Sequence, residues 1–139
     1  MRVVLVTILT LISGCGLNDL NTKLEEDIQV TIPLSIYMEL PMRGELYVYD
    51  YPNGMDNSYT SVKYNTSPMT LVEWTSSDSF CVPFMNTLIC EPIVNYSTYS
   101  RDDGSGQQMI YIYEEFTGDT LSVIGCVFNN CNEVRFIVE

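Results

Sequence analysis

The side chains able to do chemistry in this 139-residue chain are carboxylates, thiols and phenols. Histidine is absent. That excludes Ser-His and Cys-His nucleophilic catalysis and any His-ligated zinc or copper site. Carboxylates are plentiful, with 18 Asp and Glu against six Lys and Arg and a net charge of −12. Glu114-Glu115 offers one half of an acid–base pair. Neighbours on a strand point to opposite faces, so a second carboxylate, such as Asp50 or Glu73, has to come from elsewhere in the fold. Asp102-Asp103-Gly104-Ser105-Gly106 and the segment from Asp50 to Asp56 present oxygens beside glycine turns. Neither follows the spaced ligand pattern of a calcium loop, and both read as solvated turns. No catalytic residue, metal or cofactor is expected.

The phenols are more suggestive. Tyr47, Tyr49 and Tyr51 recur at a period of two, and Tyr111 and Tyr113 do the same on a later segment. Leu46 and Val48 take the alternate positions and are expected to face the core, which leaves the tyrosines partly exposed. Such rings stabilise sheets through cross-strand pairs. They also suit a binding surface, because a rigid amphipathic ring supplies contact area at low entropic cost. These five tyrosines are the candidate binding residues.

Of five cysteines, Cys81, Cys90, Cys126 and Cys131 lie in the body of the chain. Four allow three pairings. If Met85-Asn86 is a two-residue turn, Phe84 faces Thr87 and Cys81 faces Cys90. Counting out from the turn places Cys81 and Cys90 on a non-hydrogen-bonded pair, where α-carbons approach to ~4.5 Å, within disulfide range. Pro83 and Pro92 also fall on non-bonded positions and cost the hairpin no internal hydrogen bond. Cys126 and Cys131 close the tight link between the last two strands. The expected bridges are therefore Cys81–Cys90 and Cys126–Cys131.

The fifth thiol ends the leader. Met1-Arg2 is followed by an apolar run from Val3 to Ile12, interrupted only by Thr7 and Thr10, and then Ser13-Gly14-Cys15. A positive start, a short apolar run and small residues before a cysteine form an export signal. The run is too short for a permanent span, which takes ~20 residues. Ile12-Ser13-Gly14-Cys15 resembles the lipobox of bacterial lipoproteins, and the resemblance covers residues 1–15 only. It implies cleavage after residue 14 and acylation of Cys15, with anchoring in the cell envelope by several acyl chains, since one alone holds weakly. Gly16, where enteric sorting rules place Asp for inner-membrane retention, points to the outer membrane in a Gram-negative host. Residues 15–27 read as the acylated terminus and a tether.

The body, residues 28–139, reads as a single domain. Ile28, Val30, Ile32, Leu34, Ile36, Met38 and Leu40 alternate with other residues, which predicts an extended strand with one apolar face. Pro33 places that strand at an edge or a bend. The segments 45–51 and 58–64 flank a turn-rich stretch and predict a hairpin. Further short segments follow, ending with 108–116, 121–126 and 132–138. About nine strands at this spacing predict an all-β fold, an antiparallel β-sandwich or small β-barrel stapled by disulfides.

The acidic balance argues against nucleic acid and against docking on anionic lipid. Location, size and charge together point to a non-enzymatic protein-binding module of the envelope. Its expected partner is cationic, in the manner of inhibitor or receptor-masking lipoproteins. A structural accessory subunit of pilotin type and a carboxylate-based glycan hydrolase are the alternatives.

Overall fold

The computed structural model describes residues 31–139. The leader, Cys15, the tether and the first two apolar positions of the alternating run, Ile28 and Val30, lie outside the described residues. Eleven strands follow: β1 (Leu34–Tyr37), β2 (Met42–Arg43), β3 (Leu46–Tyr49), β4 (Asn57–Thr66), β5 (Leu71–Ser76), β6 (Ser79–Phe84), β7 (Thr87–Pro92), β8 (Ser97–Tyr99), β9 (Ser105–Tyr113), β10 (Thr120–Val127) and β11 (Asn130–Val138). A three-stranded sheet runs β1-β4-β9, and a six-stranded sheet runs β2-β3-β11-β10-β5-β8. The β6–β7 hairpin belongs to neither. The molecule is a β-sandwich, as the strand pattern predicts.

Alternation explains why the two sheets face each other. Val62 and Tyr64 of β4 and Ile110 and Ile112 of β9 are buried on one side. Val72 and Trp74 of β5, Leu121 and Val123 of β10, and Val134, Phe136 and Val138 of β11 are buried on the other. All of them join one apolar cluster. Each set sits at a period of two, so one face of each strand is removed from water while its neighbours stay at the surface.

At the centre, the Tyr64 and Trp74 rings lie 5.4 Å apart and tilted. Tyr64 Oη and Trp74 Nε1 both donate to Thr98 Oγ1, at 2.9 and 2.8 Å. One hydroxyl therefore satisfies two donors that burial would otherwise leave without water. Each ring lies over a glycine directly across its ladder, Tyr64 over Gly106 and Trp74 over Gly125.

The structure corrects three expectations about strand organisation. The first alternating run keeps its phase, with Leu34 and Met38 buried and Ile32, Ile36 and Leu40 packed against the core. Only Leu34–Tyr37 joins a ladder, at the edge of its sheet; Pro33, just before it, has no N–H to extend the pairing. The predicted hairpin of 45–51 with 58–64 does not form, because β3 and β4 lie in different sheets. β3 has both its edges taken: β2 pairs with it through the tight turn at Gly44 (φ +65°), and β11 pairs on its other side. The intervening loop instead carries the chain between sheets, braced by Tyr51 Oη donating to the Met55 carbonyl at 2.9 Å. Finally, β3 and β11 run parallel, so the six-stranded sheet is mixed rather than wholly antiparallel.

Candidate functional site

From Ser79 to Cys90 the chain reads Ser-Phe-Cys-Val-Pro-Phe-Met-Asn-Thr-Leu-Ile-Cys, without a single charge. It forms the β6–β7 hairpin with Phe84 opposite Thr87 and Cys81 opposite Cys90. Thr87 Oγ1 donates to the Phe84 carbonyl across the turn at 3.1 Å. The disulfide Cys81–Cys90 forms with α-carbons 4.0 Å apart, in the register that counting from Met85-Asn86 requires. The second disulfide, Cys126–Cys131, staples the β10–β11 turn in the same way, with α-carbons 4.1 Å apart.

Exposure sets this hairpin apart. Pro83 and Leu88 share one face with the cystine, and Val82, Phe84 and Ile89 share the other. Val82, Phe84, Met85, Leu88 and Ile89 are all exposed, Met85 at the tip by 88%. Neither face covers a core, so the hairpin is an apolar finger in solvent. Met85 also holds φ +53°, a left-handed conformation that costs a residue with a Cβ roughly 1–2 kcal/mol. A polar Asn or a Gly at this apex would relieve both the strain and the exposure.

The finger is rooted at the far end of β9. Phe80 stacks on Tyr113 with centroids 3.7 Å apart and planes 9° apart, and Tyr113 meets Phe116 edge-on. After β7, Ile93 and Val94 run along the open edge of β9, where Tyr111 N donates to the Ile93 carbonyl at 2.9 Å. Between finger and sheet lies an open cleft of about 700 Å³, lined in part by Glu91, Tyr96, Tyr111 and Tyr113. Tyr96 and Tyr111 offer exposed rings. The Tyr113 phenol is pushed above its usual pKa by burial and by the nearby Glu91, Tyr111 and Glu115. Among the described residues, no lysine or arginine lines this cleft.

The five candidate tyrosines therefore separate. Tyr111 and Tyr113 line the cleft. Tyr47, Tyr49 and Tyr51 do not form the expected exposed ladder. Tyr49 is 8% exposed and belongs to the core cluster, and Tyr47 and Tyr51 pack against it. Tyr49 Oη shares a 2.5 Å hydrogen bond with Ser58 Oγ, joining the two sheets. Val48, expected with Leu46 to face inward, is indeed buried, but it is the other face of β3, that of Tyr47 and Tyr49, that packs on the main apolar cluster. The reason is register: Tyr47 and Tyr49 lie alongside Phe136 and Val138 of the parallel strand, whose side chains point inward.

The carboxylate candidates are also placed. Glu114 and Glu115 sit on a single turn of 3-10 helix, Glu114–Phe116, and not on a strand. Both are exposed. Asp103 closes its own turn, accepting from Ser105 N at 2.9 Å and Ser105 Oγ at 2.6 Å. Those bonds, the side-chain one first, hold its carboxyl below the ordinary range. Among the described residues, no three His, Cys, Asp or Glu side chains gather as a metal-binding group.

Sequence reasoning found the hairpin, its turn and its disulfide, but missed what the hairpin displays. The available signal was the uncharged twelve-residue stretch with Phe-Met at a turn, in a chain whose charged fraction is 17%. A free two-stranded hairpin is marginal in water. The double substitution Cys81→Ser, Cys90→Ser is accordingly expected to open the finger alone. Limited proteolysis should then cut between residues 82 and 89 while the thermal midpoint of the sandwich hardly moves. Cys126→Ser with Cys131→Ser should instead lower global stability by about 2 kcal/mol, because that bridge staples a central ladder. No protein-family model matches the chain, and no curated protein and no solved structure matches it.

Proposed function

We propose that this protein is a lipid-anchored, non-enzymatic binding module of a bacterial cell envelope, placed on the outer membrane in a Gram-negative host, and that it grips a cationic protein. The observation that carries the reading is the stapled, uncharged finger rising beside a tyrosine-lined cleft that holds the Glu91 carboxylate. Apolar and aromatic side chains held rigidly at a tip act as anchors, since little conformational freedom is lost when they are covered. The cleft supplies the complementary part. Exposed rings of Tyr96 and Tyr111 beside Glu91 suit an Arg or Lys side chain, through cation–π contact and a carboxylate partner. The net charge of −12 would steer a basic protein toward this surface.

The test is capture by the immobilised full-length protein at ~0.05 M and ~0.5 M salt, conditions under which surface charge interactions are open and then largely screened. The expected partner is basic and is released, at least in large part, by the higher salt. A neutral or acidic partner retained equally at both would overturn the electrostatic half of the reading. The anchor is checked on the same preparation by mass spectrometry, which should find residues 1–14 absent and Cys15 acylated.

A further inference from the structure

The opposite end of the sandwich carries a second apolar surface. Ile32 comes into the domain beside the β10–β11 turn, where Asn130 Nδ2 donates to its carbonyl at 2.8 Å. Around Ile32, a shallow groove is lined by Met69, Thr70, Leu71, Glu73, Tyr99 and Phe128. Met69 is 65% exposed and Phe128 79%, and Leu71 and Tyr99 are exposed as well. Met69 and Phe128 hold φ +52° and +51°. With Met85 these are the non-glycine residues with positive φ among those described, and each is a large apolar side chain at a turn, facing water. Strain and apolar exposure thus coincide twice within one groove, at positions where Gly or Asn would relieve both.

Position in the fold indicates what covers it. Met69 N donates to the Arg101 carbonyl, next to the turn that starts β9. The finger is rooted on Tyr113, at the other end of the same nine-residue strand. At about 3.3 Å per residue, groove and finger root stand roughly 26 Å apart. Ile32, which follows Cys15 by 17 residues in sequence, lines this groove. Among the described residues the groove is lined by no basic side chain, and Glu73 adds a negative charge, so its chemistry suits neutral headgroups and not anionic ones.

We propose that this groove rests on the neutral phospholipid surface to which the N-terminus is tethered, with Met69, Leu71, Tyr99 and Phe128 in the headgroup–acyl boundary. The inference depends on the lipid-anchor reading of Cys15. Aromatic and long apolar side chains favour that boundary, and a local contact adds to a lipid anchor at little entropic cost once the chain is already held there. It would turn the finger root away from the membrane, toward a partner.

Methionine oxidation reads this directly, because Met69 reports the groove and Met85 the finger. The natively acylated protein in phosphatidylcholine vesicles is treated with dilute peroxide and followed by peptide mass spectrometry. The expected result is Met69 oxidised several-fold more slowly than in the Cys15→Ser protein free in buffer, with Met85 unchanged. A second arm tethers the Cys15→Ser protein by an N-terminal hexahistidine tag to phosphatidylcholine vesicles containing nickel-chelating lipid. Protection of Met69 there, with an unacylated native product, would sink the anchor reading and keep the lipid-facing groove. Met69 oxidised as fast on tagged vesicles as in buffer would overturn the groove proposal. So would protection without vesicles, whether constant (the chain's own upstream segment) or rising with protein concentration (a second copy).

Discussion

Leu88→Asp should abolish partner capture while leaving the sandwich as stable as before. Leu88 is exposed on the cystine-bearing face of the finger and touches no core cluster. Surface substitutions away from special features usually move stability by about 0.5 kcal/mol or less. In a docked state, however, the same carboxylate is forced into an apolar pocket without a partner. Loss of a central anchor typically costs about 2–4 kcal/mol, or roughly 30- to 1,000-fold in affinity. A basic rim on the partner does not rescue the variant, because the charge lands where the surface excludes water. Ile89→Asp makes the same test on the opposite face, and the difference between the two reports which face docks. Met85→Gly completes the set: it removes the tip side chain and relieves the left-handed strain, so it should weaken capture without loss of stability. Capture unchanged by all three, measured by surface-immobilised binding beside thermal unfolding, would exclude the finger as the contact.

Gly106→Ala is expected to be strongly destabilising. A Cβ at residue 106 overlaps the Tyr64 ring at Cζ, Oη and Cε2. Tyr64 has no simple retreat, since its hydroxyl donates to Thr98 and its ring lies against Trp74. The methyl therefore forces the ring off its site or opens the β4–β9 ladder. Overpacking of this kind costs about 1–3 kcal/mol. Freeing the buried Tyr64 hydroxyl adds roughly 1–3 kcal/mol more. For a domain of this size, such a loss should lower the thermal midpoint by about 10 °C or more. Gly125→Ala is the companion case, its Cβ 2.7 Å from Trp74 Cζ3. The lone tryptophan is Trp74, so its fluorescence should report the disturbance in either variant. In a Tyr64→Ala background, Gly106→Ala should become nearly neutral, and the coupling isolates the clash. Equal cost in both backgrounds would show that Gly106 is needed for its backbone and not for the space above it.

The patterns that were legible from residue order are the local ones. Alternation at Val62–Tyr64, Ile110–Ile112 and Leu121–Val123 marks strands with two unlike faces, because side chains on extended backbone point alternately up and down. The Cys81–Cys90 register followed from the short turn between the two cysteines, since a two-residue connection leaves the strands one way to pair. Whatever required distant segments to meet was not written in any local pattern. On β3 both faces carry apolar groups, Leu46 and Val48 against Tyr47 and Tyr49, so period two defines the faces without telling which is inward. That was settled by the parallel ladder with β11, about ninety residues away, whose Phe136 and Val138 already point to the core. The same holds for the finger: its lack of charge is plain in the chain, but a buried hairpin has the same composition. Only the packing of the two sheets, which close their core without it, leaves Phe84, Met85 and Leu88 in water.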